Sequence, residues 1–204
     1  MRTPYPGYDV LAKRDTPSFN AQTRAVVDRR LHVIPERRFF SAEEWSLLEA
    51  ICGRLVPQPD RAEPVPIVPW IDEAVADGKG EGFRHDGMPA MAEAWRRGLA
   101  GIAHEAERRY AHAFAALGAD EQDAVLGAVQ KGEVDEGGWD GVPAKTFFSD
   151  VLLKTAVGIY YAHPAAWNEI GFGGPASPRG YVRMGLDERD PWEAPVVPAP
   201  GDPA

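Results

Sequence analysis

Apolar side chains recur at steps of three and four along most of the chain, and no stretch shows the period of two expected of a half-buried strand. The strongest row is Met91, Trp95, Leu99, Ile102, Ala106, Tyr110, Phe114 and Leu117, which predicts one long amphipathic helix from Pro89 to Leu117 in spite of Gly98 and Gly101. Ser41 followed by Glu44 has the spacing of a capping box, and Trp45, Leu48, Ile51, Cys52 and Leu55 continue it as a helix that should stop near Val56, before Pro57. A proline-rich loop from Pro57 to Pro69 leads to a short helix around Trp70, Ile71 and Val75, closed by the glycine-rich stretch Gly78 to Gly87. Asp120 is placed to cap a helix carrying Val125, Leu126 and Val129 and stopped by Gly132. Pro143 opens a last helix through Phe147, Phe148, Val151, Leu152, Thr155 and Ile159.

The expected architecture is therefore all-α, a compact helical domain of about five to six helices with long Pro/Gly-rich ends. Residues 1–38 read as an arm with one short helix through Val26, Val27 and Leu31, residues 39–162 as the helical domain, and residues 163–204 as an irregular segment. The arm carries Tyr5, Tyr8, Val10 and Leu11, and the last segment carries Trp167, Phe172, Tyr181 and Trp192. Side chains of this size are costly to leave in water, so both ends are expected to pack on a surface, their own or a partner's.

Composition narrows the function. A formal charge of −9 with no basic block argues against nucleic acid and anionic membranes as partners. Cys52 is the only cysteine, which excludes an internal disulfide and a cysteine-based zinc site, and its place in an apolar helical row makes it a buried, inert thiol. No apolar run approaches the roughly 20 residues that span a bilayer, and the opening MRTPYPGYDV lacks the apolar stretch of a signal peptide. The chain is expected in the cytoplasm, or in the periplasm if an export signal lies on a partner or outside this sequence.

Candidate chemistry is sparse. Gly171, Gly173 and Gly174 suggest a dinucleotide loop, but that fingerprint follows a strand and opens a helix, whereas here a helix precedes and Pro175 follows. His85, His104, His112 and His163 form no metal-ligand spacing, and solvated or core histidines explain them better. Neither Ser177 nor Cys52 sits in a nucleophile's context. The acidic clusters Glu43 with Glu44, and Glu133 with Asp135 and Glu136, fit helix starts and solvated loops. No catalytic, cofactor-binding or metal-binding residue is assigned.

The stretches FFSAEEWSLLEAICGRLVP and AHPAAWNEIGFGGPASPRGY, with the helical middle between them, resemble the gluconate 2-dehydrogenase subunit 3 family from about Phe39 to Tyr181. The resemblance implies a small, non-catalytic, helical subunit of a bacterial heterodimer or larger complex. Its partner would be a GMC-type catalytic subunit that holds FAD and oxidises a sugar, sugar acid or glycoside, in some cases with a cytochrome subunit as well. Many relatives open with a twin-arginine export signal; here Arg37 and Arg38 precede Phe39 and Phe40, but a capped amphipathic helix follows, which departs from that pattern. The residues carried over to the partner interface are Tyr160, Tyr161, Trp167, Glu169, Gly171, Phe172, Gly173, Gly174 and Pro175, with packing of the tail on its own domain as the competing reading. Two other functions stay open: an autonomous enzyme or small-molecule-binding protein that uses His163 and Glu169 of the C-terminal loop, and a helical scaffold for an unrelated protein.

Overall fold

A computed structural model describes residues 5–59, 61–79, 86–176 and 179–195, except 181, 184 and 187. His85, Ser177 and Tyr181, all considered above, lie outside the described residues. Among those residues every regular element is helical: seven α-helices, short 3-10 turns, one π-helical stretch and no strand. The all-α expectation holds. Contacts group the chain into two units, residues 34–159 and residues 1–33 with 160–204.

In the larger unit, α2 (Ala42–Leu55) starts with the capping box that its sequence specifies. Ser41 Oγ accepts from Glu44 N at 3.1 Å, and Glu44 Oε2 accepts from Ser41 N at 2.8 Å. The helix α3 (Ile67–Ala76) buries Ile67, Val68, Ile71 and Val75. The long helix α4 runs from Met91 to Tyr110 and buries Trp95, Leu99, Ile102 and Ala106. It is shorter than its apolar row predicts, because Ala111 turns left-handed at φ 56° and the chain folds back through a 3-10 turn, Phe114–Ala116. That turn packs on α2. Reversal leaves Phe114 at 1% and Leu117 at 7% exposure, so tertiary burial overrides a helical period that contains no breaker.

The next helix, α5 (Ala119–Lys131), begins two residues earlier than expected: Gly118 and not Asp120 is the N-cap, and Glu121 Oε2 accepts from its N–H at 3.0 Å. Asp120 lies in the first turn, where its charge suits the positive end of the helix dipole. A short α6 (Ala144–Thr146) leads directly into π-helical winding over Phe147–Leu153 and then α7 (Lys154–Ala162).

Aromatic rings fill the centre of this unit in edge-to-face order. Trp95 meets Phe40 at 5.9 Å and Phe147 at 5.8 Å between centroids, and Phe147 meets Trp139 at 6.2 Å. The two glycines of α4 face these rings: a Cβ on Gly98 would strike Phe147, and one on Gly101 would lie 2.5 Å from the Trp139 ring. Glycine here lets the helix approach bulky rings, at a modest cost in helix propensity.

In the smaller unit, Asp9 caps a 3-10 turn, Val10–Lys13, and Asn20 caps α1 (Ala21–His32) by accepting from Thr23 N at 2.8 Å. Val10, Phe19 and Val27 form a small core with Trp167 of the 3-10 turn Pro164–Glu169, and Tyr8, Leu11, Leu31 and Phe172 pack around it. The N-terminal arm and the C-terminal segment are thus each other's packing surface.

Candidate partner interface

The structure gathers the family motif into the smaller unit. Trp167 is 5% exposed; its ring meets Phe172 at 5.1 Å, and its Nε1 donates to the Tyr161 carbonyl at 3.0 Å. Tyr160 is buried, and its hydroxyl donates to Glu169 Oε2 at 2.7 Å. Gly171 and Gly174 take positive φ, at 64° and 88°. A Cβ on Gly171 would lie 2.6 Å from the Tyr5 ring, and one on Gly174 would lie 3.1 Å from Val10. The close backbone approach that these glycines permit is used by the chain's own arm. Pro175 is half-buried, whereas Tyr161 at 42% exposure faces outward, as does Ile170 beside the motif at 45%.

Polar contacts tie the same segments together. Tyr8 donates to the Phe172 carbonyl at 3.0 Å, and Asn168 Oδ1 accepts from Val10 N at 2.9 Å. Lys13 Nζ donates to Tyr8 Oη at 2.9 Å, the Gly173 carbonyl at 3.2 Å and the Trp192 carbonyl at 2.5 Å. Burial lowers the Lys13 pKa, and the nearby Arg179 charge lowers it further. Arg179 stacks over the Trp192 ring at 4.4 Å and donates to Ser18 Oγ and the Gly173 carbonyl. Lys13 and Arg179 therefore converge on one carbonyl of the motif, which spacing along the chain gives no means of foreseeing.

The residues here do not fit a flavin. A dinucleotide loop offers free backbone N–H groups between a strand and a helix, whereas Tyr5, Val10 and Phe19 fill the space above Gly171 and Gly174, and Phe172 N donates to the Trp167 carbonyl at 3.0 Å. His163 and Glu169, the pair on which an autonomous enzyme would depend, have local partners. His163 is 7% exposed and its Nδ1 accepts from Ala165 N at 3.3 Å, while Glu169 receives the Tyr160 hydroxyl.

Elsewhere, buried acids hold this chain's own loops. Asp72 in α3, fully buried, accepts from the backbone N–H groups of Arg38, Phe39 and Phe40 at 2.6, 3.0 and 2.8 Å. Glu105 in α4, also fully buried, accepts from Arg108 at 2.7 Å, Arg109 at 3.0 Å and Asp135 N at 2.7 Å. Burial pushes the Glu105 carboxyl upward, but hydrogen bonds from Arg108, the Asp135 backbone and Arg109 outweigh it, and its pKa falls below the usual value.

His104 Nε2 lies 2.9 Å from Asp135 Oδ2, and this contact holds the Asp135 carboxyl below its ordinary range. His112 is exposed. Cys52 is 5% exposed, and burial pushes its thiol up to about 12. Among the described residues no group of three or more His, Cys, Asp or Glu is arranged to hold a metal ion, and no helix is long and apolar enough to cross a membrane.

A cavity of about 540 Å³ lies between α2 and α4, lined by Leu47, Leu99, Ala100, Ala103 and Phe114, with Glu43, Glu44 and Arg96 among its other residues. Arg96 pairs with Glu44 at 3.7 Å and stacks over Phe39 at 4.4 Å, and the Glu43 carboxylate accepts from Ser41 Oγ at 3.0 Å.

The molecule is in class an all-α protein whose C-terminal glycine-rich motif binds its own arm. A family model described as gluconate 2-dehydrogenase subunit 3 matches residues 42–174, about two thirds of the chain, and the protein belongs to that family. The family is that of a subunit within a dehydrogenase assembly. Neither curated proteins nor solved structures gave a match.

Proposed function

We propose that the chain is the non-catalytic small subunit of a heteromeric, FAD-dependent GMC-type dehydrogenase that oxidises a sugar, sugar acid or glycoside, and that it stabilises the flavin-bearing subunit. The observation that carries this reading is the family match over residues 42–174. The uses of the ionisable side chains support it. Asp72 and Glu105 hold loops of this chain, and His163 and Glu169 face neighbouring groups of the tail. Flavin, substrate and any cytochrome then belong to other chains of the assembly.

The test is affinity purification of the tagged full-length chain from cells that also make its flavoprotein neighbour. The expected result is a complex with flavin absorbance that reduces an artificial acceptor when given an aldose or sugar acid, while the chain purified alone carries no flavin and turns nothing over. Substrate turnover by the chain alone would overturn the reading.

A further inference from the structure

Small side chains leave a cavity in the larger unit where α2, α4 and the turn after α4 meet. Its floor is Leu99 and Phe114, at 0% and 1% exposure, and its walls are alanines, among them Ala42 of α2 and Ala100 and Ala103 of α4. Those three alanines are exposed, so the cavity opens to solvent between them. The helices and the turn pack on one another, which fixes the walls with or without an occupant. Protein interiors are otherwise close-packed, and an apolar hollow of about 540 Å³ lies in the range of roughly 300–1,000 Å³ typical of sites for small organic ligands.

The chemistry of the lining selects the occupant. Alanine, leucine and phenylalanine walls give water few hydrogen-bond partners, so an apolar body displaces solvent there at a gain. One guanidinium stands among the lining residues. Arg96 donates to the Phe39 carbonyl at 3.4 Å and lies 3.7 Å from Glu44, both longer than the roughly 2.7–2.9 Å of a charge-assisted hydrogen bond. Its face rests on the Phe39 ring at 4.4 Å, which orients the planar fork and leaves donors for a ligand oxygen. Glu43 and Glu44 are the other charged residues of the lining. Hydrogen bonds from its own backbone and from Ser41 hold the Glu43 carboxyl below its ordinary range, so it stays ionised at neutral pH. Two carboxylates against one guanidinium disfavour an anionic head and leave a neutral acceptor as the group that suits Arg96.

We infer that the cavity between α2 and α4 is a binding site for a neutral, mostly apolar small molecule, whose body lies on Leu99 and Phe114 and whose carbonyl oxygen accepts from Arg96. The site is a property of this chain by itself and goes beyond the proposed function, which requires no ligand here.

Fluorescence titration of the full chain with the neutral naphthalene ketone Prodan tests it, with the anionic naphthalene sulfonate ANS for comparison. Prodan should bind saturably at one molecule per chain with blue-shifted emission and raise the melting temperature, and ANS should bind at least about tenfold more weakly. Ala103→Trp fills the cavity from an exposed wall position and should weaken Prodan binding by about tenfold or more. Ala100→Trp, on the same helix, takes its place if the first variant melts early. Arg96→Met keeps the aliphatic bulk and removes the donors; it should weaken Prodan by about tenfold and shift its emission further to the blue, because the ketone loses its hydrogen bond. No saturable Prodan binding, or binding that a folded Ala103→Trp or Ala100→Trp leaves at the wild-type level, overturns the site. ANS binding as tightly as Prodan, or Arg96→Met binding as the wild type does, overturns the assignment of a neutral acceptor to Arg96. Each of these outcomes leaves the proposed function standing.

Discussion

Replacing Trp167 with alanine separates the two roles that the closing motif can play. The ring is 5% exposed, meets Phe172 edge to face at 5.1 Å and shares a core with Val10, Phe19 and Val27. Removing a buried tryptophan costs about 3–5 kcal/mol when the site cannot collapse around the gap. Its hydrogen bond to the Tyr161 carbonyl, worth about 1 kcal/mol net, falls within that range. The expected destabilisation is about 3–4 kcal/mol, which for a chain of this size lowers the melting temperature by roughly 10 °C. Thermal unfolding of the isolated subunit, followed by near-UV circular dichroism, measures it. Limited proteolysis supplies a second readout, because residues 5–19 lose the surface that orders them and become cleavable. A variant that melts within about 2 °C of the wild type with an unchanged cleavage pattern refutes the packing role and returns Trp167 to the partner interface.

Two further perturbations probe the larger unit. Glu105→Ala leaves Arg108 and Arg109 without their buried acceptor and the Asp135 N–H unpaired, and should cost about 2–4 kcal/mol at neutral pH, at the lower end because both arginines reach solvent. The folded-state pKa of Glu105 is depressed, so its contribution is present above the ordinary carboxylate value of about 4.3 and is lost as pH falls through the folded value; the melting gap between wild type and variant should narrow in acid, and a gap constant down to pH 2 speaks against the mechanism. Gly101→Ala should destabilise by about 1–3 kcal/mol although alanine is the better helix former, because its Cβ meets the Trp139 ring at 2.5 Å. Gly127→Ala in α5, with open space around the added methyl, should stabilise by about 0.5–1 kcal/mol; equal effects at the two positions in denaturant titrations would show that propensity alone decides.

Local signals in the sequence were legible where the physics is local. The capping box of Ser41 and Glu44 acts over three residues, and it forms with the predicted partners. The apolar rows of α2 and α4 also hold, because period and burial coincide over several turns. The row through Phe114 and Leu117 misleads, since both residues are buried as expected but by reversal of the chain, and a left-handed alanine announces no reversal. Gly98 and Gly101 look like weak points in a helix, and only the distant rings of Phe147 and Trp139 explain them.

The candidate site was legible as a motif and opaque as a geometry. Trp167, Glu169 and the glycines are identifiable by their family pattern, and some of their contacts are local, but the contacts that fasten the segment to the arm lie more than 150 residues away: Asn168 Oδ1 binds Val10 N, and Lys13 binds the Gly173 carbonyl. Composition indicates only that aromatic ends need a surface, and the two ends satisfy that need mutually. Asp72 and Glu105 were missed for the same reason, their backbone partners standing 30 or more residues away with no recurrent spacing to mark them.

Asp72 also decides how Arg37, Arg38, Phe39 and Phe40 are best understood. A twin-arginine pair before two aromatics has the appearance of an export address, which a receptor must read from accessible chain. Here the carboxylate of Asp72 accepts the backbone N–H groups of Arg38, Phe39 and Phe40, and Phe40 is 3% exposed against Trp95. The Arg38 side chain pairs with Asp77, and Ser41 then caps α2. Presenting the pair as an extended signal would strip three donors from a fully buried carboxylate and draw a phenylalanine from the aromatic core, leaving an unpaired charge in the interior. The same four residues thus serve as the entry to the larger unit, where the acidic residue that fixes them belongs to a different helix and the aromatic that anchors them packs on a third.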